Sequence, residues 1–381
     1  MKLTPALALL PLALAAACTE NDPDTAGGAI AVVSTDDECR VASTEAGSGN
    51  LVFEVKNDGS LVTEFYLLAS DGLRIVGEVE NIGPGLTRQL VVTAGPGEYV
   101  TACKPGMVGD GIRATFTVTD SGADLAATGE LGELLTTATD QYALYVKDQA
   151  EQLITKTQLF ADLYTAGEDD AARELYADAR THWERIEPVA ESFGDLDPRL
   201  DLREADLAEG EAWTGWHAIE KDLWPPADGY TAFTQADRDA LAEQLVADTQ
   251  ELVDRVQDLT FTPDQLGNGA KELLDEVATG KVTGEEEIWS HTDLWDFQAN
   301  VDGARIAFEV LQPALETKDA ELAELLTTRF AELQALLDQY ALPDGGFVFY
   351  GELTDDQVKE LSDAVNALSE PLSNLTAAVV L

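Results

Sequence analysis

The spacing of apolar positions changes near residue 120. Before it, apolar runs are short and often alternate with polar residues: 29–33, 51–55, 64–68, 75–79, 88–92, 99–103 and 114–118. Glycine-bearing turns at 57–59, 71–72, 83–85 and 95–97 separate most of them. Seven period-two segments punctuated in this way predict an antiparallel β-sandwich over residues 29–119. Beyond 123 the period lengthens. Leu134, Tyr142, Tyr145, Leu153 and Phe160 recur at helical intervals within 131–166, which places them on one helix face. Comparable patterns cover 171–193, 204–223, 235–259, 269–279, 294–315, 320–340 and 354–380. Gly or Pro breaks them at 167–169, 195–198, 225–226, 262–263 and 343–346. Residues 123–381 therefore read as seven or eight helices in two stacked bundles.

The first residues follow neither pattern. Met1-Lys2, the apolar run 3–17 and then Cys18 make a segment too short to span a bilayer but suited to an export signal. Ala15, Ala16 and Ala17 lead directly into Cys18, which resembles a bacterial lipobox, with its usual Leu one place early as Leu14. Residues 1–18 are then a lipoprotein-type signal, and Cys18 becomes the lipid-bearing first residue; the alternative is a plain secretory leader. Residues 19–28 are polar, contain Pro23 and read as a tether. No later apolar run is long enough to cross a membrane. The expected location is the periplasm or the outer face of the cytoplasmic membrane, with attachment through lipid.

Charge narrows the partners. The 381 residues carry 72 Asp and Glu against 23 Lys and Arg, a formal net charge of −49. A field of that sign repels phosphate backbones and anionic lipid surfaces, so nucleic acid is excluded as a partner. With 45% apolar residues the chain is not a disordered acidic tail. The acid is concentrated in the helical part: residues 120–381 hold 57 acidic and 16 basic side chains, against 12 and 6 in residues 28–119. Two causes fit, a surface adapted to high salt or a field that gathers cations.

Candidate chemistry begins in the β part with Cys39 and Cys103. In an exported protein their default fate is a disulfide. Cys103-Lys104-Pro105-Gly106-Met107 also resembles the copper loop of cupredoxins. A blue-copper centre needs two imidazoles, and His182, His217 and His291 all lie in the helical part, so that carrier is excluded. A different metal site using Cys39, Glu64, Cys103 and Met107 stays open, as does simple core packing of Met107.

In the helical part, Gly215-Trp216-His217-Ala218-Ile219-Glu220 puts imidazole and carboxylate at i and i+3 on one face. That is half a metal site, or a packed His beside a solvated Glu. Residues 284–297 crowd Glu285, Glu286, Glu287, His291, Asp293 and Asp296 around Trp289, Trp295 and Phe297. They suit an oxygen-rich metal site, or a helix start with acids favoured by its dipole. Glu184 and Glu187, after His182, read as a salt-bridged or solvated face.

The segments HWERIEPVAESFGDLDPRLD, WTGWHAIEKDLW and GEEEIWSHTDLWDFQANVDGARIAFEVLQP resemble the imelysin-type helical domain. The preceding TEFYLLASDGLRIVGEVENIGPGLTRQL and YVTACKPGMVGDGIRATFTV resemble the cupredoxin-like domain of EfeO-type iron-uptake proteins. The resemblance spans essentially the whole chain after the leader. It implies a multidomain β + α architecture, a cupredoxin-like sandwich followed by an imelysin-like double helical bundle. It also implies an exported iron-binding component (Fe2+ or Fe3+, with copper or zinc as alternatives), partnered by an iron permease and a haem-containing peroxidase-like protein. The family's metal motif falls on His217 and Glu220, the acidic segment on His291, Asp293 and Asp296, and a second site on Cys39, Glu64, Cys103 and Met107. Two other functions compete. A metallopeptidase lacks support, because there is no His-Glu-x-x-His and Lys221 stands where an inverted zinc motif needs His. Binding of an acidic polysaccharide would need bridging cations.

Overall fold

A computed structural model describes residues 28–122, 125, 127–208, 210, 212–343 and 345–381. The leader with Cys18 and the tether as far as residue 27 lie outside the described residues. Among the described residues, nine strands form the N-terminal part: β1 (Ile30–Ser34), β2 (Cys39–Val41), β3 (Glu45–Gly47), β4 (Gly49–Asn57), β5 (Thr63–Ala69), β6 (Ile75–Ile82), β7 (Thr87–Ala94), β8 (Gly97–Cys103) and β9 (Ile112–Thr119). They make two sheets, β2-β1-β4-β7 and β3-β9-β8-β5-β6. Alternation explains the packing: Leu51, Phe53 and Val55 of β4 point inward and are buried, as period two requires. Phe53 meets Phe65 and Phe116 at ring distances of 5.2 and 5.5 Å in the core.

The sequence pattern gave seven strands, all antiparallel. The two extra strands, β2 and β3, are three residues each, too short for alternation to register. Between them the chain crosses from one sheet to the other. The pairs β1–β4 and β3–β9 are parallel, and the remaining ladders are antiparallel. A disulfide joins Cys39 on β2 to Cys103 on β8, with Cα atoms 5.5 Å apart. It ties one sheet to the other.

The helical part contains α1 (Gly129–Ala166), α2 (Asp169–Glu184), α3 (Leu196–Asp201), α4 (Trp216–Leu223), α5 (Gln235–Val256), α6 (Pro263–Thr279), α7 (Asp293–Lys318), α8 (Ala320–Leu337), α9 (Asp355–Leu372) and α10 (Leu375–Val380). Their ends follow local chemistry. α1 stops at Gly167 in the left-handed region, and α5 and α9 start with capping boxes from Thr234 and Thr354. Helices α1, α2 and α5 pack together, α6, α8 and α9 form a second layer, and α7 touches both. One continuous apolar core runs through the two. Residues 171–193, expected as one helix, divide before Pro188, which lacks the amide to continue it. Residues 204–223, also expected as one helix, yield among the described residues a 3-10 turn and the short α4.

The sandwich rests on α6. The Thr93 amide donates to Asp264 at 2.9 Å, and Asn268 donates to the Val91 carbonyl at 2.9 Å. Asn50 donates to the carbonyl of Val380 on α10 at 2.6 Å. No helix among the described residues is long and apolar enough to cross a membrane.

Candidate metal centre

The centre is built from segments that are distant in sequence. Gly215 caps α4 at φ 86°, a conformation that favours glycine. A Cβ there would lie 2.2 Å from the Leu200 carbonyl oxygen. The missing side chain lets the start of α4 press against the end of α3, and this brings Asp201 to His217. The His217 ring is 1% exposed. Its Nε2 lies 3.3 Å from Asp201 Oδ1 and 3.5 Å from Glu286 Oε1. Its Nδ1 lies 3.3 Å from Glu220 Oε2 and 4.0 Å from Glu287 Oε1.

The two ring nitrogens differ in what they have. Glu220 Oε1 accepts from the amides of Trp289 and Ser290 at 3.1 and 2.7 Å, so the carboxylate of α4 anchors the loop that carries Glu286 and Glu287. Burial opposes charge on Glu220, yet His217 and the Ser290 amide hold its pKa below the usual value. Glu220 is therefore ionised, and Nδ1–H donates to it. Nε2 has no hydrogen-bond partner among the described residues, and neither oxygen of buried Asp296 accepts a hydrogen bond. An orphaned buried imidazole nitrogen flanked by two carboxylates is a donor set suited to a first-row metal. Asp201, His217 and Glu286 bring their ligand atoms within 4.8 Å of one another.

Arg180 occupies the middle of the cluster and is fully buried. It bonds Asp201 and Glu184, lies 2.6 Å from Glu287, and sits 3.6 and 3.7 Å from Glu286 and Asp296. Lys281 pairs with Glu184 at 3.0 Å and Glu187 at 2.7 Å. The acids still outnumber these cations, and the charges redistribute. Burial and Arg180 disfavour the His217 imidazolium, but Asp201, Glu220 and Glu286 outweigh them and raise its pKa well above the usual value. Burial pushes the pKa values of Glu287 and Asp296 well up, against the pull of Arg180. Against burial, Lys281 and His217 keep Glu286 at about 2.

A family model described as Imelysin matches residues 138–375, and one described as Cupredoxin-like domain matches residues 7–118. "Iron uptake system component EfeO" of Escherichia coli K12 is 36% identical over 349 residues, covering 91% of this chain and 90% of its own length. Proteins of the same name from Shigella flexneri and Shigella sonnei Ss046 match to the same extent. The chain belongs to the EfeO family.

In this EfeO-family chain the residues expected at the centre divide. His217 and Glu220 are at its heart, and Asp296 is at its edge beside Arg180. Asp293 is buried; one of its oxygens accepts from the Glu287 amide at 3.1 Å, and the other has no hydrogen-bond partner among the described residues. His291 is exposed, in the left-handed region at φ 59°, and joins neither the Asp201, His217 and Glu286 group nor the second one found among the described residues, His217, Glu220 and Glu287. Its backbone reversal turns the side chain out while its carbonyl accepts from the Tyr350 amide. Nothing in local spacing marks Asp201 or Arg180, and Glu286 and Glu287 stand in the sequence only as part of an acidic run. Lys221 lies over the rings of Trp213 and Trp289 at 5.6 and 5.2 Å, away from the imidazole.

The four residues considered for a second site do not assemble one. Cys39 and Cys103 are bonded to each other, so neither offers a thiolate. Glu64 accepts from Tyr66 at 2.6 Å and pairs with Lys104 at 3.5 Å. Met107 is 38% exposed on the turn after β8. Glu184 and Glu187 form the salt-bridged face expected of them, but it is internal.

Proposed function

We propose that the chain is the exported iron-binding component of an uptake system, and that it takes its cargo at Nε2 of His217 with Asp201 and Glu286. The supporting observation is the orphaned Nε2 between those two carboxylates while Nδ1 is engaged by Glu220. Glu220 then serves as the carboxylate behind the ligating imidazole, fixing its tautomer and raising its basicity. Imidazole and carboxylate accept both ferrous and ferric iron. The relatives' printed name, iron uptake system component, agrees with this chemistry. Three protein ligands, two of them shared with Arg180, suit a carrier that must release its cargo. The recipient would be a membrane permease, with a haem-containing peroxidase-like protein as third member of the system. Acylation at Cys18 would keep the carrier at the membrane surface, since several chains on one residue give stable anchoring.

Anaerobic calorimetric titration of the full chain with Fe2+ tests the site. His217→Ala should abolish the tight equivalent. Glu220→Gln should weaken it about 10–100-fold, the usual cost of losing the group that orients a ligand. Undiminished binding in His217→Ala would reject the assignment.

A further inference from the structure

A cavity of about 340 Å³ lies between the sandwich and the helices. Its walls include Glu78 and Glu80 of β6, Glu272 and Glu276 of α6, and Asp201 and Glu286 of the metal centre. Among the described residues one basic side chain lines it, Arg203, which is engaged with Asp206, Glu285 and Glu286. An acid-lined space is not in itself a site. Glu272 adds a separate observation: it is 9% exposed, lines this cavity, and forms no hydrogen bond or ion pair among the described residues. A buried carboxyl without a partner needs an explanation, and a cation in the cavity supplies one.

Size limits how such a cation is held. No metal-ligand group among the described residues includes Glu78, Glu80, Glu272 or Glu276, so these carboxyls do not converge closely enough to strip an ion of its water. At about 30 Å³ per water, the volume holds roughly ten waters, more than the six around a divalent ion. Because Asp201 and Glu286 line both the cavity and the Nε2 face of His217, the two spaces share a wall.

We propose that the cavity between the domains is a second cation site, an antechamber in which a hydrated divalent metal is held by Glu80, Glu272 and Glu276 before it loses water to Asp201, Glu286 and His217. The final transfer rests on the iron-binding role given to His217; the antechamber itself does not. Both domains build the site, so docking of the sandwich on α6 is part of metal capture.

The test uses Mn2+, a redox-stable hard cation, and follows water-proton relaxation of the full chain at equilibrium and Mn2+ association by stopped flow. In His217→Ala, one weakly held, water-rich Mn2+ should remain, and Glu272→Gln with Glu276→Gln should weaken it about tenfold or more. In an otherwise unaltered chain, the same pair should slow association while leaving the tight equivalent. Glu80→Gln, on the other domain, should reproduce both effects and guards against a folding defect of α6. Absence of weak Mn2+ in His217→Ala, or weak binding that ignores these substitutions, would overturn the antechamber. Tight binding that survives His217→Ala would instead reject the metal centre and leave the antechamber to be judged by the Glu variants.

Discussion

Arg180 and His217 show how much of this centre is decided by single side chains. Arg180 touches the two carboxylates that flank Nε2, so it is a tethered cation in competition with the cargo. Arg180→Met should destabilise the metal-free protein by about 3–5 kcal/mol, the cost of unpairing buried charge. It should also tighten metal binding, and added Mn2+ should raise its melting temperature more than it raises that of the unaltered protein. An equal rise in both would show that Arg180 does not compete. His217 carries a raised pKa. Its imidazolium contributes to stability fully below about 6.5 and loses that contribution as pH rises through the folded-state value. Asp201 is held well below its usual value as Arg180 and His217 overcome its burial, and Glu286 is at about 2. Their contribution is present above about pH 4 and disappears as pH falls toward 2. Metal at Nε2 must displace the proton, so apparent affinity should keep climbing from about pH 6 to pH 8 with proton release. A plateau above about 6.5 would mean that the imidazole is already neutral.

At the level of elements, two devices hold the pieces in register. The Cys39–Cys103 bond closes a loop across a sequence separation of 64 and is worth about 4 kcal/mol in the chain-entropy account. Replacing both cysteines with Ala should lower the unfolding temperature of the sandwich and leave the tight metal stoichiometry unchanged. A lost equivalent would return the cysteines to the list of ligands. Gly215 is the other device. Gly215→Ala places a methyl group against the Leu200 carbonyl in a backbone conformation that L side chains avoid. It should cost about 1–3 kcal/mol and weaken metal binding without touching a ligand, because α3 and α4 separate. Calorimetry on that variant gives both numbers.

Across the whole molecule, the acid has two fates. Much of it is solvated surface, but a part has been drawn inward, to the metal centre and to the cavity between the domains. At physiological salt a surface field decays over about 8 Å, so distant surface carboxylates add little to capture. Mn2+ association should change little between about 0.15 and 1 M salt, yet slow markedly in Glu272→Gln with Glu276→Gln. A steep salt dependence that those substitutions do not alter would assign capture to the general field, and the net charge of −49 would then act directly.

The sequence by itself determined the change from strand to helix period near residue 120, because burial of one face writes itself into local spacing. It also determined the pairing of His217 with Glu220, since residues three apart share a helix face. Only the tertiary structure decided that Asp201 and Glu286 meet that imidazole and Arg180 meets those carboxylates, that His291 turns away, and that Cys39 reaches Cys103. Those contacts depend on a glycine-permitted approach of two helices, a left-handed residue and a crossing between sheets. Local spacing holds no record of where a chain returns, and the burial that gives these carboxylates their chemistry exists only once it has returned.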